Sequence, residues 1–115
     1  MKTSSFFSYR GDGRICIARF APRGMPKGYR VFKKLAPGAW FNSVDRAAYI
    51  TLYTGEVLSR LDPQETWDEL HALAGGHEPV LLCYERPPFS DENFCHRRLV
   101  AEWFEKALGV QVPEL

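Results

Sequence analysis

The chain has 115 residues, of which 45% are hydrophobic and 25% charged, and its formal net charge is +1. That length suits one hydrophobic core, so residues 1–115 are expected to form a single domain, and the composition excludes a disordered chain. No apolar run approaches the ~20 residues that cross a bilayer or opens the chain as a ~7–15-residue signal core, and Cys16, Cys83 and Cys95 are an odd set at irregular spacing; a cytoplasmic protein with reduced thiols is expected, with no membrane partner.

Residues 4–9, with three aromatics, suit a strand, and Gly11-Asp12-Gly13 suits a tight hairpin turn. Ile15-Cys16-Ile17-Ala18 is a short continuous apolar run, the pattern of a strand buried on both faces, with Arg19 at its carboxyl end. Residues 20–41 hold Pro22, Pro26 and Pro37 with Gly24, Gly28 and Gly38, which excludes long regular elements. Tyr29, Phe32 and Trp40 give this long loop anchors, and loops of such length are often functional. Charge is concentrated here: residues 1–41 carry nine bases against Asp12, whereas the other 74 carry six bases and thirteen acids. Such asymmetry fits either an anion-attracting face or a basic segment folded against an acidic one.

Asn42 or Ser43 is expected to cap a helix whose row Tyr49, Tyr53, Val57 and Leu61 repeats every fourth residue through Gly55. Asp62-Pro63-Gln64-Glu65 is a stronger start signal, an acidic cap with proline at the first helical position, and Gly75-Gly76 a stop. Val80-Leu81-Leu82-Cys83 reads as a second buried strand. Residues 95–108 form a last helix ending at Gly109, and Val110-Gln111-Val112 suits a short final strand. The succession predicts an α/β fold, a three-layer domain with a small mostly parallel or mixed sheet flanked by helices.

On the last helix Leu99, Val100, Trp103, Phe104 and Ala107 share one face. His96 lines up with that stripe, Arg97 flanks it, and Arg98 points to solvent within reach of Glu102. Bases are unusual in a first turn, whose unpaired N–H groups already attract anions; His96 and Arg97 there suggest a phosphate or carboxylate site. Cys95 lies where a helix N-terminus favours the thiolate. Cys83 ends a strand at the sheet edge where α/β proteins bind ligands, Arg19 reaches that edge if the two strands are parallel, and Glu85 is a candidate general base. The catalytic candidates are therefore Cys95, His96 and Glu85, and the ligand-binding candidates Arg19, Arg97 and Cys83.

Each has a plainer reading. Cys16 is a core thiol, His96 a member of a buried hydrogen-bond network, Glu85 a counter-ion for Arg19 or Arg97, and His71 and His77 surface residues. Cys83, Cys95 and His96 are suitable zinc ligand types, but their spacing lacks the usual Cys-x₂₋₄-Cys knuckle, so no metal or other cofactor is assigned. A Cys83–Cys95 disulfide is geometrically allowed without being a Cys-x-x-Cys motif.

Thr3-Ser4-Ser5-Phe6-Phe7, Ile15-Cys16-Ile17-Ala18-Arg19 with Pro22, Leu35-Ala36-Pro37, the Tyr49 and Tyr53 helix, Leu81-Leu82-Cys83-Tyr84-Glu85, the segment from Cys95-His96-Arg97-Arg98 to Trp103, and Val112-Pro113-Glu114 together resemble the domain of unknown function 488 family. The resemblance implies a prokaryotic or phage α/β domain of unassigned biochemical role and carries over no catalytic residues. The loop of residues 86–94 is longer than that family's usual connection. The leading functional expectation is an anion-binding domain, enzymatic if Cys95 or Glu85 reacts, for a nucleotide or other phosphate-containing small molecule; the alternative is a nucleic-acid or protein interaction module using the basic N-terminal third, and a Cys/His metal site or thiol redox switch ranks behind both.

Overall fold

In the computed structural model, which describes residues 1–86, 89–90 and 93–115, a four-stranded sheet is built from β1 (Lys2–Ser5), β2 (Arg14–Cys16), β3 (Arg30–Val31) and β4 (Val80–Cys83). Its order is β1-β4-β2-β3, and all pairings are parallel. Three helices complete the α/β fold: α1 (Arg46–Glu56), α2 (Pro63–Ala74) and α3 (His96–Leu108).

Side-chain alternation along the central strands divides the core in two. Ile15, Ile17 and Leu81 join Tyr53 of α1, Leu70 of α2 and Val100 and Phe104 of α3 in the larger cluster. Cys16, Ala18, Val80 and Leu82 face the other way, where Phe6 and the loop residues Tyr9, Ala21, Met25 and Tyr29 cover them. The layers are thus helix, sheet and loop. Because apolar partners lie on both sides, the two central strands read as unbroken apolar runs.

Local chemistry accounts for the helix ends. Asp62 accepts a hydrogen bond from the Glu65 N–H at 2.9 Å, Pro63 occupies the first turn of α2, and Gly75 closes it at φ 65°. Gly109 ends α3 in the same left-handed conformation. The first helix is capped by Asp45, which accepts from the Ala48 N–H at 2.8 Å. This corrects the expectation of Asn42 or Ser43; the Ser43 hydroxyl instead donates to the Trp40 carbonyl. α1 ends at Glu56, one residue past Gly55, so Val57 and Leu61 fall outside it, around a 3-10 turn at Leu58–Arg60.

Two strand expectations are also corrected. Residues 4–16 form no hairpin, because β1 and β2 each pair with β4, which lies between them. Gly13 is still needed: its φ is +80°, a Cβ would collide with the Glu78 carbonyl oxygen, and its own carbonyl accepts the Val80 N–H at 2.9 Å. Residues 110–112 add no strand. Val112 is buried in the larger cluster, and the following residues lie along β1, Thr3 N–H donating to Pro113 O and Leu115 N–H to Thr3 O. Residues 20–41 are irregular as expected, apart from β3 and a 3-10 turn at Lys33–Leu35. Within the long loop of residues 86–94, positions 87, 88, 91 and 92 lie outside the described residues. No helix among the described residues is long and apolar enough to cross a membrane.

Candidate functional site

Parallel pairing of β2 with β4 carries Arg19 and Cys83 to one edge of the sheet, and the start of α3 packs against that edge. The result is a cleft of about 480 Å³ bordered by Ala18, Arg19, Cys83, Glu85, His96 and Tyr49, with Phe20, Phe41, Tyr84 and Phe94 among its aromatic walls. Arg19, Cys83, Glu85 and His96 are sequence candidates brought together there. Cys95 and Arg97 do not line it.

His96 is buried, with 5% of its surface exposed, and its Nε2 lies 2.7 Å from the Ile17 carbonyl oxygen. A carbonyl only accepts, so Nε2 carries the proton and Nδ1 keeps its lone pair. That Nδ1 faces the Cys95 Sγ at 4.0 Å. Burial, reinforced by the neighbouring Arg97 charge, lowers the imidazole pKa to about 4, so the ring is neutral near pH 7.

Arg97 is completely buried. Its Nε and NH2 donate to the two Glu114 carboxylate oxygens at 3.0 and 2.8 Å, and its NH1 donates to the Cys83 Sγ at 3.2 Å. Its guanidinium carbon also lies 4.9 Å from the Phe89 ring centroid. The expectation that Arg97 holds an incoming anion is corrected: Glu114 already supplies that anion, and Arg97 braces the Cys83 sulfur. Arg98, expected to face solvent, donates to Thr3 Oγ1 at 2.9 Å and Val112 O at 2.8 Å, because the residues after α3 return across its first turn.

The Cys83 and Cys95 sulfurs are within bonding distance and are paired as a disulfide, which replaces the expectation of three reduced thiols; Cys16 is the free, buried cysteine. Burial pushes the Cys16 thiol pKa up, so the core reading fits it. Arg19 donates to the Pro37 carbonyl at 3.0 Å, which ties the long loop to the cleft rim.

Tyr49 is a cleft residue that the sequence pattern assigned to a helix row in the core. Its pKa is raised by burial and, secondarily, by the negative charge of Glu85, which borders the same cleft. Its ring packs edge-on against Trp40 and Phe94. Glu114 was missed as a site residue because no local spacing ties it to Arg97. A neutral imidazole, the Cys83 sulfur, a carboxylate, a phenol and a guanidinium bordering one cleft can bind an anionic molecule and move a proton on it.

A family model described as the active DUF488-N3 subclade matches residues 7–108. No curated protein and no solved structure matches the chain.

Proposed function

From the premise that the chain belongs to the DUF488 family, we propose that it binds a nucleotide or similar phosphate-containing small molecule in the cleft and acts on it there. Arg19 holds the phosphate at the rim, the exposed Phe20, Phe41 and Tyr84 receive an aromatic base, and Glu85 with Tyr49 handles a proton. The floor made by Cys83 and His96, with Cys95 behind it, is the reacting end.

The observation that carries this reading is the convergence of Arg19, Cys83, Glu85 and His96 on one cleft at the carboxyl edge of a parallel sheet, where α/β folds bind their ligands. Its volume of about 480 Å³ is within the range of small-molecule sites. The test is a thermal-shift and calorimetric series with mono-, di- and triphosphate nucleotides and inorganic phosphate. A ligand that binds only the folded state raises Tm, and Arg19→Ala should weaken that ligand at least tenfold while Arg23→Ala leaves it unchanged. Absence of binding across the series, or equal binding by Arg19→Ala, overturns the reading.

A second reading has its own observation. Phe20 is 65% exposed, with the Arg19 and Lys33 cations within 6 Å of its ring centroid, an arrangement suited to stacking one base of a single strand.

A further inference from the structure

We propose that Cys83, Cys95 and His96, in their reduced state, form a binding site for one thiophilic divalent metal ion such as zinc, with an open coordination position toward the cleft. The proposal rests on the reading of the cleft as the reacting site and names what lies at its floor.

Three observations carry it. First, the three side chains each bring a ligand atom into a group spanning no more than 4.8 Å, and all three residues are buried. Two thiolates on a tetrahedral zinc, at ~2.3 Å each, sit ~3.8 Å apart, and a thiolate and an imidazole nitrogen ~3.5 Å apart. The 4.0 Å from Cys95 Sγ to His96 Nδ1 needs only a small adjustment, whereas the two sulfurs, bonded to each other here, must part on reduction to admit the ion between them. Sequence spacing argued against zinc because it lacks a knuckle, yet β4 and the start of α3 supply the convergence that a knuckle would otherwise provide.

Second, the surrounding groups are those that support metal ligands. His96 donates its Nε2 proton to the Ile17 carbonyl, which fixes the ring and leaves the Nδ1 lone pair for the ion. Arg97 donates to Cys83 Sγ, favouring the thiolate, and is itself neutralised by Glu114. Charge then balances: two thiolates offset a dication, and Arg97 offsets Glu114. A buried pair of thiolates without the cation would repel.

Third, the Cα atoms of Cys83 and Cys95 are 7.1 Å apart. That exceeds the usual 4.4–6.8 Å of disulfides, and the backbone spacing suits sulfurs bridged through a third atom. The disulfide is the two-electron oxidised form of the same pair. Tris(2-carboxyethyl)phosphine and one water convert it to two thiols and the phosphine oxide, and the metal then displaces the two thiol protons to solvent. With three protein donors, the fourth position remains for water or ligand, and Cys83, His96 and Glu85 all border the cleft into which it opens.

The test is titration of phosphine-reduced, chelator-treated full chain with cobalt(II), followed by competition with zinc. The expected result is one ion per chain, with a thiolate-to-cobalt charge-transfer band and visible bands of tetrahedral intensity, both removed by zinc. Cys83→Ser and His96→Ala should each weaken cobalt at least tenfold, with folding checked by circular dichroism. Reduced wild-type protein that shows no charge-transfer band overturns the proposal without relying on any variant. Binding that survives Cys83→Ser unchanged also overturns it. Arg19→Ala separates the two claims: cobalt binding should persist while nucleotide binding falls. Wild-type protein that binds cobalt but no nucleotide removes the cleft reading alone; one that binds nucleotide but no cobalt removes the metal site alone.

Discussion

Arg97 is among the largest fully buried side chains of the described residues, and a cation in such a place survives only because Glu114 meets two of its nitrogens. Removing the carboxylate leaves the guanidinium buried and unpaired. Glu114→Gln should therefore destabilise the fold by about 3 kcal/mol, at the low end for a buried pair because the Glu114 side chain keeps 18% of its surface exposed. Urea denaturation measures the loss, and the double variant Arg97→Met with Glu114→Leu should recover most of it. His96 makes a second prediction at this scale, for metal-free protein. The unfolded imidazole protonates near pH 6.5, whereas the folded one resists until about 4. Between those values the unfolded state holds more protons, so stability falls as pH is lowered through the window, by about 1.4 kcal/mol per unit. His96→Gln should flatten that slope in denaturation curves taken from pH 7 to pH 4.5; an unchanged slope would assign it to another group.

Among the elements, caps separate what local sequence encodes from what it does not. Asp45→Ala should cost about 1 kcal/mol by thermal or urea unfolding, since the Ala48 N–H loses its acceptor, while Asn42→Ala should stay within about 0.5 kcal/mol. Asp62-Pro63, Gly75, Gly109 and the run Val80–Cys83 were legible because each signal acts within a few residues of the boundary it sets. The hairpin expectation failed for the complementary reason: Gly11-Asp12-Gly13 permits a local turn, but the partner of both flanking strands is β4, far along the chain. The site divides in the same way. Parallel strands bring Arg19 and Cys83 to one edge, and helical periodicity turns His96 inward, so these could be read from pattern. Glu114 and the burial of Arg97 could not, because they depend on residues 112–115 crossing back over α3 and lying beside β1.

For the whole molecule the question is where the basic excess of residues 1–41 goes. Part is neutralised internally: Lys2 and the N-terminal amine meet Glu78, and Lys34 meets Glu69. Arg14 is buried with its guanidinium on the carbonyls of Gly11, Pro26 and Lys27, where it pins the long loop and offers nothing to a partner. Arg10, Arg23, Lys27 and Arg30 remain exposed. If the partner were a nucleic-acid strand, neutralising about four phosphates with these groups would give a log–log salt slope of about −3, since each phosphate contact on a single strand contributes roughly −0.7. A nucleotide seated in the cleft meets chiefly Arg19, so its slope should be about −1 or shallower. Titrations of a fluorescent nucleotide and a labelled single strand between 50 and 200 mM salt are expected to show the shallow dependence and sensitivity to Arg19→Ala for the nucleotide. A steep slope confined to the strand and abolished by charge reversal at Arg23 and Lys27, with no nucleotide binding for Arg19→Ala to weaken, would instead make the basic loop the binding surface and leave the cleft without a ligand.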